Sequence, residues 1–527
     1  MNLKPLATSI VLVACAATLS IAAPAMAAPV RYEAENSPAR CSGTIDANWS
    51  GYSGAGFCNG TNATGAYAEF AVSATTAATA ALYVRFANGT SSSRPVNLIV
   101  NGASVSTASF EGTGAWDSWR TKTLSANLRA GTNTIRLDPS SSNGLPNVDY
   151  LDLDAGDEPP PPPAATLHVA TTGRDSNPGT MSAPLATIQR AVDLARPGHT
   201  IVIRGGTYAP GSNIQLLTNG TASQPITMRN HANERVVIDG ENMPHTPAPV
   251  GGSIPRPERG AVHIEGDWWR LAGLEIINGP YGVFGLDVNN GVFDRLVTRD
   301  NYESGFHIQG ASSNNQILNL DAYGNRDPRK NGESADGLAI KEGSGSGNVV
   351  RGARLWNNSD DGLDYWMFSS PILTEDTLAW GNGFNRWNLP SYTGDGNGFK
   401  LGGNGISADH TVRNSMTWSN AVSGFVDNNN PGRHRIERST AWNNPGTGFN
   451  VNRSASTLTG NLAASNGTNV SLGSNSQGGG NSWDIGGSWP LASTNPATII
   501  GPRTAAGSIP SSNFLRPANG AEVGARF

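Results

Sequence analysis

Between residues 282 and 449 a glycine followed by an apolar residue recurs at coil spacing at Gly282-Val283, Gly305-Phe306, Gly337-Leu338, Gly362-Leu363, Gly398-Phe399, Gly424-Phe425 and Gly448-Phe449. The steps are 23, 32, 25, 36, 26 and 24 residues, a period near 24 with two insertions. A second marker runs in phase: Tyr323-Gly324-Asn325, Trp356-Asn357-Asn358, Trp380-Gly381-Asn382, Trp418-Ser419-Asn420 and Trp442-Asn443-Asn444. The occurrence at Trp380 falls inside the 36-residue step, which marks that coil as irregular. Such a period, with short β-like runs, Asn at the turns and almost no helical pattern, predicts a parallel β-helix. Leucine-rich repeats have a similar period, but their leucine spacing is absent. Coils of a solenoid stack about 4.8 Å apart, so equivalent positions form columns. A solenoid also needs end caps. Residues 187–195, with Ile188, Ala191, Val192 and Leu194 at helical spacing, predict a short amphipathic helix in that role.

Five consecutive prolines, 159–163, hold an extended spacer that no sheet interior accommodates. They divide the chain into a first domain at 28–154, a linker at 155–165 and a second domain at 166–527. The N-terminus carries Lys4, an apolar run from Leu6 and the small-residue pattern Ala25-Met26-Ala27. This predicts a signal peptide over residues 1–27 and a secreted, extracellular protein. Cys15 falls inside that signal, leaving Cys41 and Cys58 as a disulfide pair in an oxidising compartment. Charged residues make up only 15% of the chain and the formal net charge is −5, with no basic stripe, so nucleic acid is not an expected partner. No later segment is apolar enough to span a membrane. An acidic substrate would need a local cation to neutralise it.

The first domain alternates short strand-like runs with turn signals such as Asn88-Gly89 and Asn101-Gly102, which predicts a β-sandwich. Glu33 and Glu35 lie on the same side of one strand, and with Asp152 from the last strand they form a candidate Ca²⁺ site. The segments Tyr32-Glu33-Ala34-Glu35, Tyr52-Ser53-Gly54, Trp116-Asp117-Ser118-Trp119 and Asn147-Val148-Asp149-Tyr150 resemble carbohydrate-binding modules of families six and thirty-five, which share a jelly-roll sandwich. The resemblance implies a structural calcium held in part by Glu33, Glu35 and Asp152. It also implies a sugar site containing Tyr52, Trp116 and Asn147, where an aromatic face stacks on sugar C–H groups and an amide fixes hydroxyls.

Aligning the coils on the Gly-apolar marker places Asp336, Asp361 and Asn397 just before the glycine, and Ala339, Asp364 and Lys400 just after the apolar residue. Leu338, Leu363 and Phe399 should face the core, and their following neighbours solvent. With Asp360 alongside, this predicts four carboxylates on one face and an ammonium one coil away. Four such groups repel unless a cation joins them, and oxygen ligands alone select Ca²⁺ over zinc. The segments around these residues, Ser334-Ala335-Asp336-Gly337, Asp360-Asp361-Gly362-Leu363-Asp364 and Asn397-Gly398-Phe399-Lys400-Leu401-Gly402-Gly403, resemble polysaccharide lyase family nine, the pectate lyases. So do Asp175-Ser176-Asn177-Pro178-Gly179 and Val202-Ile203-Arg204-Gly205-Gly206-Thr207-Tyr208.

That resemblance implies an all-β protein with a right-handed parallel β-helix. Asp336, Asp360, Asp361 and Asp364 would hold calcium and Lys400 would be the catalytic base. The implied reaction is calcium-dependent β-elimination of polygalacturonate by a monomer acting on plant cell-wall glycans. A base at neutral pH needs a depressed lysine pKa, expected from burial and the nearby cation. Three readings stay open beside it: a lyase on rhamnogalacturonan or another uronate glycan, a polygalacturonase using paired carboxylates, and a non-catalytic cell-wall binder. Arg386, Trp387 and Tyr392, in the long coil before Lys400, are candidates for a substrate wall or for loop anchoring.

Overall fold

The computed structural model describes residues 29–74, 77–154 and 166–527, so the expected signal peptide and proline spacer lie outside the described residues. The chain divides into two compact units, residues 1–159 and 160–527. The first unit is a sandwich of two antiparallel sheets. One orders Thr44–Asp46, Phe57–Asn59, Asn147–Asp154, Ala78–Ala87 and Arg120–Leu128, with Val30–Glu33 also pairing on Asn147–Asp154. The other orders Arg40–Cys41, Ala68–Ala74, Gly131–Pro139, Arg94–Val100 and Ala103–Phe110. Burial alternates residue by residue along Ala68–Ala74 and Arg94–Val100, as a half-buried strand requires. Phe70, Val84, Leu98, Ile135 and Leu151 fill the space between the sheets. The Cys41–Cys58 disulfide joins an edge strand of one sheet to a strand of the other.

The second unit is a parallel β-helix of three sheets with 12, 10 and 10 strands. The Gly-apolar marker opens strands of the third sheet, and its apolar members pair in register from Val283 through Phe306, Leu338, Leu363, Phe399 and Phe425 to Phe449. They point inward, where the Phe399, Phe425 and Phe449 rings stack at 4.7 and 4.8 Å. The aromatic marker forms an outer column on the second sheet, with Tyr323, Trp356, Trp380 and Trp418 stacked at 4.1, 4.9 and 4.8 Å. Trp380 is thus a regular member of its column, paired with Trp356 and Trp418, and the irregularity of its coil lies in the residues that follow it. The extra residues of that coil leave after Trp380 and return at Gly398.

The asparagine two residues after each aromatic turns inward at the corner. With Asn301 and Asn466, which follow Arg299 and Ala464 at the ends, Asn325, Asn358, Asn382, Asn420 and Asn444 form a ladder in which each side-chain amide donates to the side-chain carbonyl of the next coil, at 2.8–3.1 Å. A corner removes backbone groups from sheet pairing, and these amides satisfy them in a buried setting. The helix Ile188–Leu194, capped by the Thr187 hydroxyl, covers one end with Ile188, Ala191 and Val192. At the other end Trp483 packs on Phe449. The tail beyond residue 485, which carries no motif, folds back over the aromatic column. Phe514 meets Trp418 edge-on at 5.0 Å, and Ile499, Ile509, Leu515 and Ala525 join Leu378 and Met416 in one apolar cluster. Arg503 anchors the tail on Asp321 at 2.6 Å.

Asn382 donates to Leu355 O and Asn420 Oδ1 and accepts from both nitrogens of Asn358. Asn382→Ala strands these buried partners, and denaturant unfolding should show a loss of about 2–4 kcal/mol. A loss below about 0.5 kcal/mol would show that the ladder is dispensable.

Candidate active site

Parallel pairing sets Asp364 against Ala339 and Lys400 against Asp364 on the outer face of the third sheet. Just before each strand, Asp336 and Asp361 stack at the corner. Asp361 accepts from the backbone and side-chain nitrogens of Asn397 at 2.6 and 3.0 Å, and Asp336 accepts from the Asp361 N–H at 3.4 Å. Carboxylate oxygens of Asp336, Asp360 and Asp361 lie within 4.8 Å of one another, and all three residues are buried. Asp361 Oδ2 has no hydrogen-bond partner, its nearest charge being the Lys400 ammonium at 3.2 Å. Lys400, 8% exposed, also meets Asp395 at 2.8 Å and Asp364 at 3.8 Å.

Two participants escaped the sequence reading. Lys341 stands two residues after Ala339, on the same outward side, and bridges Asp336 and Asp364 at 2.8 and 3.0 Å. Strand parity alone would have found it. Asp395 arrives on the insertion between Trp380 and Gly398, where no repeat alignment reaches. Of the wall candidates in that insertion, Tyr392 donates its hydroxyl to Ser359 O and so anchors the loop, while Arg386 lies over Phe384 within the loop itself. Trp387 is half-buried and lies outside the cleft lining. The cleft itself, about 440 Å³, is lined by Arg259, His307, Lys341, Trp366, Asp395 and Lys400 among others. Gly403 leaves room for the Trp366 indole, since a Cβ there would fall 1.9 Å from Trp366 Cδ1.

Burial pushes Asp336 up to about 6 and Asp361 up to about 7, and it holds Asp360 well above the usual carboxylate range. Burial also acts against the charge of Asp364, but Lys341 and Lys400 outweigh it and keep that carboxyl low. For Lys400 the expected depression is reversed. Burial pulls the ammonium down, yet Asp364, Asp361, Asp360 and Asp395 together hold it above the ordinary lysine value. The cause is the carboxylate excess that protein atoms alone leave around it. A hard, all-oxygen set with a buried carboxylate oxygen lacking a hydrogen bond fits a calcium ion.

In the first unit, Ser53 Oγ donates to Glu33 at 2.7 Å and Ala55 N to Glu35 at 2.8 Å, while the second oxygen of each glutamate is buried without a hydrogen bond. Asp152 does not join them. It sits directly across from Arg31 on the neighbouring strand and pairs with it at 2.8 Å. Asp149 takes that place, accepting from Ser53 N at 3.0 Å. Burial, aided by Glu33 and Glu35, pushes it up to about 6. Trp116 covers Gly89 and stacks under Arg94, which donates to Leu145 O just ahead of the buried Asn147. Tyr52 packs instead against Phe57, whose ring also receives Trp119.

Residues 167–475 match the family model of the Pel9A-like right handed β-helix region, and residues 34–155 match the family 6 carbohydrate binding module. Pectate lyase PEL9 of Emericella nidulans is 50% identical over 391 residues, covering 69% of this chain and 95% of the relative. The crystal structure of pectate lyase Pel9A aligns with TM-score 0.60 and 29% identity, over 69% of this chain and 92% of that one. A rhamnogalacturonan lyase structure aligns with TM-score 0.59 and 26% identity, over 68% and 99%. The chain belongs to the Pel9A-like right-handed β-helix family, polysaccharide lyase family nine, and carries an N-terminal carbohydrate-binding module.

The raised carboxyls have a measurable consequence. A folded pKa above the unfolded value near 4 means stability that is full below about pH 4 and lost as pH rises through about 6 to 7. In chelator, Asp361→Asn should therefore gain melting temperature over wild type at pH 8 relative to pH 5. A difference independent of pH would contradict the buried, uncompensated carboxylate.

Proposed function

We propose that this protein is a secreted, calcium-dependent pectate lyase that cleaves polygalacturonate by β-elimination. The observation that carries the reading is Lys400 Nζ, buried at the cleft floor beside a cluster of four aspartates in which oxygens of three lie within 4.8 Å of one another. Support comes also from the 50% identity to Pectate lyase PEL9 and from the alignment with Pel9A. Asp336, Asp360, Asp361 and Asp364 would hold Ca²⁺, whose charge would supply neutralisation of the substrate C6 carboxylate and of the negative charge that grows there as the C5 proton leaves.

Lys400 takes the C5 proton on its neutral Nζ. The C5 electron pair forms the C4=C5 double bond as the C4–O bond breaks, and the departing oxygen takes a proton from solvent. No water adds, so the new end is a 4,5-unsaturated uronide. A bound divalent cation would offset the carboxylates that raise the Lys400 pKa, letting burial act in the other direction. Asp395 accepts an N–H hydrogen from Lys400 at 2.8 Å and so helps to orient its remaining lone pair. The first unit would hold the enzyme on cell-wall glycans, with Trp116 and Asn147 as sugar contacts and Glu33, Glu35 and Asp149 as the carboxylates of its calcium site.

The structural match to a rhamnogalacturonan lyase favours one second reading, the same elimination on a rhamnogalacturonan backbone. Ultraviolet absorbance of the unsaturated uronide tests both. On polygalacturonate, wild type should produce it only with calcium, and Lys400→Ala should lose about 10²–10⁴-fold in rate. Absorbance on rhamnogalacturonan alone would move the substrate and keep the chemistry. Reducing ends released without absorbance, or activity that survives both chelator and Lys400→Ala, would refute elimination by this site.

A further inference from the structure

Lys400 has three carboxylate neighbours, and they are not equivalent. Asp361 and Asp364 belong to the set assigned above to the cation. Asp395 does not, yet its oxygen is the nearest of all to Nζ, at 2.8 Å against 3.2 and 3.8 Å. It reaches the site on an insertion of the solenoid, the loop between Trp380 and Gly398, and that loop is fastened at several points. The Tyr392 hydroxyl donates to Ser359 O, Thr393 N donates to Asn331 O at 3.0 Å, and the Thr393 hydroxyl donates to Lys330 O at 3.3 Å. A residue at Gly332 other than glycine would strike the Tyr392 ring, since a Cβ would lie 2.4 Å from its Cε2. The loop between Trp380 and Gly398 therefore locks onto the other coil insertion, the one that carries Lys330.

Asp395 makes a second connection inside the site. Its backbone N–H donates to Asp360 Oδ1 at 2.7 Å. One residue thus holds the amine of Lys400 through its side chain and a carboxylate of the cation cluster through its backbone. The Asp395 side chain is half exposed, whereas those of Asp336, Asp361 and Asp364 are almost wholly buried. It borders the cleft.

We infer that Asp395 is a positioning residue for Lys400, fixing the direction of the Nζ lone pair toward C5 and tying the base to the carboxylate cluster. The inference rests on the proposed elimination with Lys400 as base. An acceptor is needed for this because a lysine side chain has four rotatable bonds, and a misplacement of about 1 Å costs about 10²-fold in rate. Asp361 Oδ1 takes both bonds from Asn397, and its Oδ2, which accepts no hydrogen bond, is kept for the cation, so Asp395 is the carboxylate that accepts from the amine.

The test uses the full chain with calcium and polygalacturonate, read by absorbance of the unsaturated product. Asp395→Asn leaves the backbone bond to Asp360 in place and removes only the charge and one acceptor. It should lower kcat about 10-fold to 10²-fold with KM within about twofold. Asp395→Glu, which restores the carboxylate at slightly longer reach, should recover most of that loss. The melting temperatures of both should match wild type. A kcat within about twofold of wild type for Asp395→Asn would overturn the inference, and so would a rise in KM at unchanged kcat, which would make Asp395 a substrate contact. A parallel fall in kcat and melting temperature that Asp395→Glu does not repair would also overturn it, by making the role structural. Lys400→Ala run beside them separates the two levels: if it retains product formation, the base assignment itself has failed, whatever Asp395 does.

Discussion

In-register stacking of parallel coils is the constraint from which the rest of the second unit follows. A residue in a strand of an inner coil has a partner one coil above and one below, about 4.8 Å away, so a chemical choice made once is repeated or answered along a column. Apolar rings inside stack on apolar rings, and the corner asparagines satisfy one another in a continuous ladder. The same geometry that makes these columns stable would make a column of like charges costly. The outer face of the third sheet meets that cost by alternating sign. Asp364 stands against Lys400 one coil on, and Lys341 reaches across to Asp336 and Asp364.

The balance is incomplete, and the imbalance is what makes the site chemical. Two lysines face five carboxylates, counting Asp395, and three of the four buried ones, Asp336, Asp360 and Asp361, are held above the normal carboxylate range. A protein selected only for stability would replace such a group with apolar residues. Retaining it fits a cluster that awaits a cation and then an anionic substrate. The lysine responds to the same field. Burial alone would ready Lys400 as a base, and the carboxylates oppose this until their charge is offset. Metal dependence and base strength are in this way one electrostatic problem.

Much of the third sheet was legible in the chain because its marker, glycine followed by an apolar residue, is set by the corner that every coil must turn. Counting from it placed Asp364 beside Lys400 and stacked Asp336 with Asp361, as the strand pairing shows. What escaped notice lies where periodicity gives no purchase. Asp395 sits in an insertion, and the tail beyond residue 485 covers the aromatic column with an irregular path whose apolar residues have no period. In the sandwich, spacing suggested Asp152 as the partner of Glu33 and Glu35. The antiparallel register delivers Asp152 to Arg31, and a bulge between Val148 and Tyr150 accompanies the burial of Asp149 beside Ser53. Registers between distant strands are not written in local spacing.

The central claim is spatial: a cation in the aspartate cluster, and C5 of a uronate facing Lys400. X-ray diffraction from crystals of Lys400→Ala soaked with calcium and a galacturonate oligosaccharide tests it most directly. The account predicts a metal with oxygen ligands at about 2.3–2.6 Å from Asp336, Asp360, Asp361 and Asp364, a sugar carboxylate on that metal, and C5 directed at the space vacated by the lysine side chain. A metal bound elsewhere, or a glycosidic bond clasped between two carboxylates with a water at C1, would contradict it.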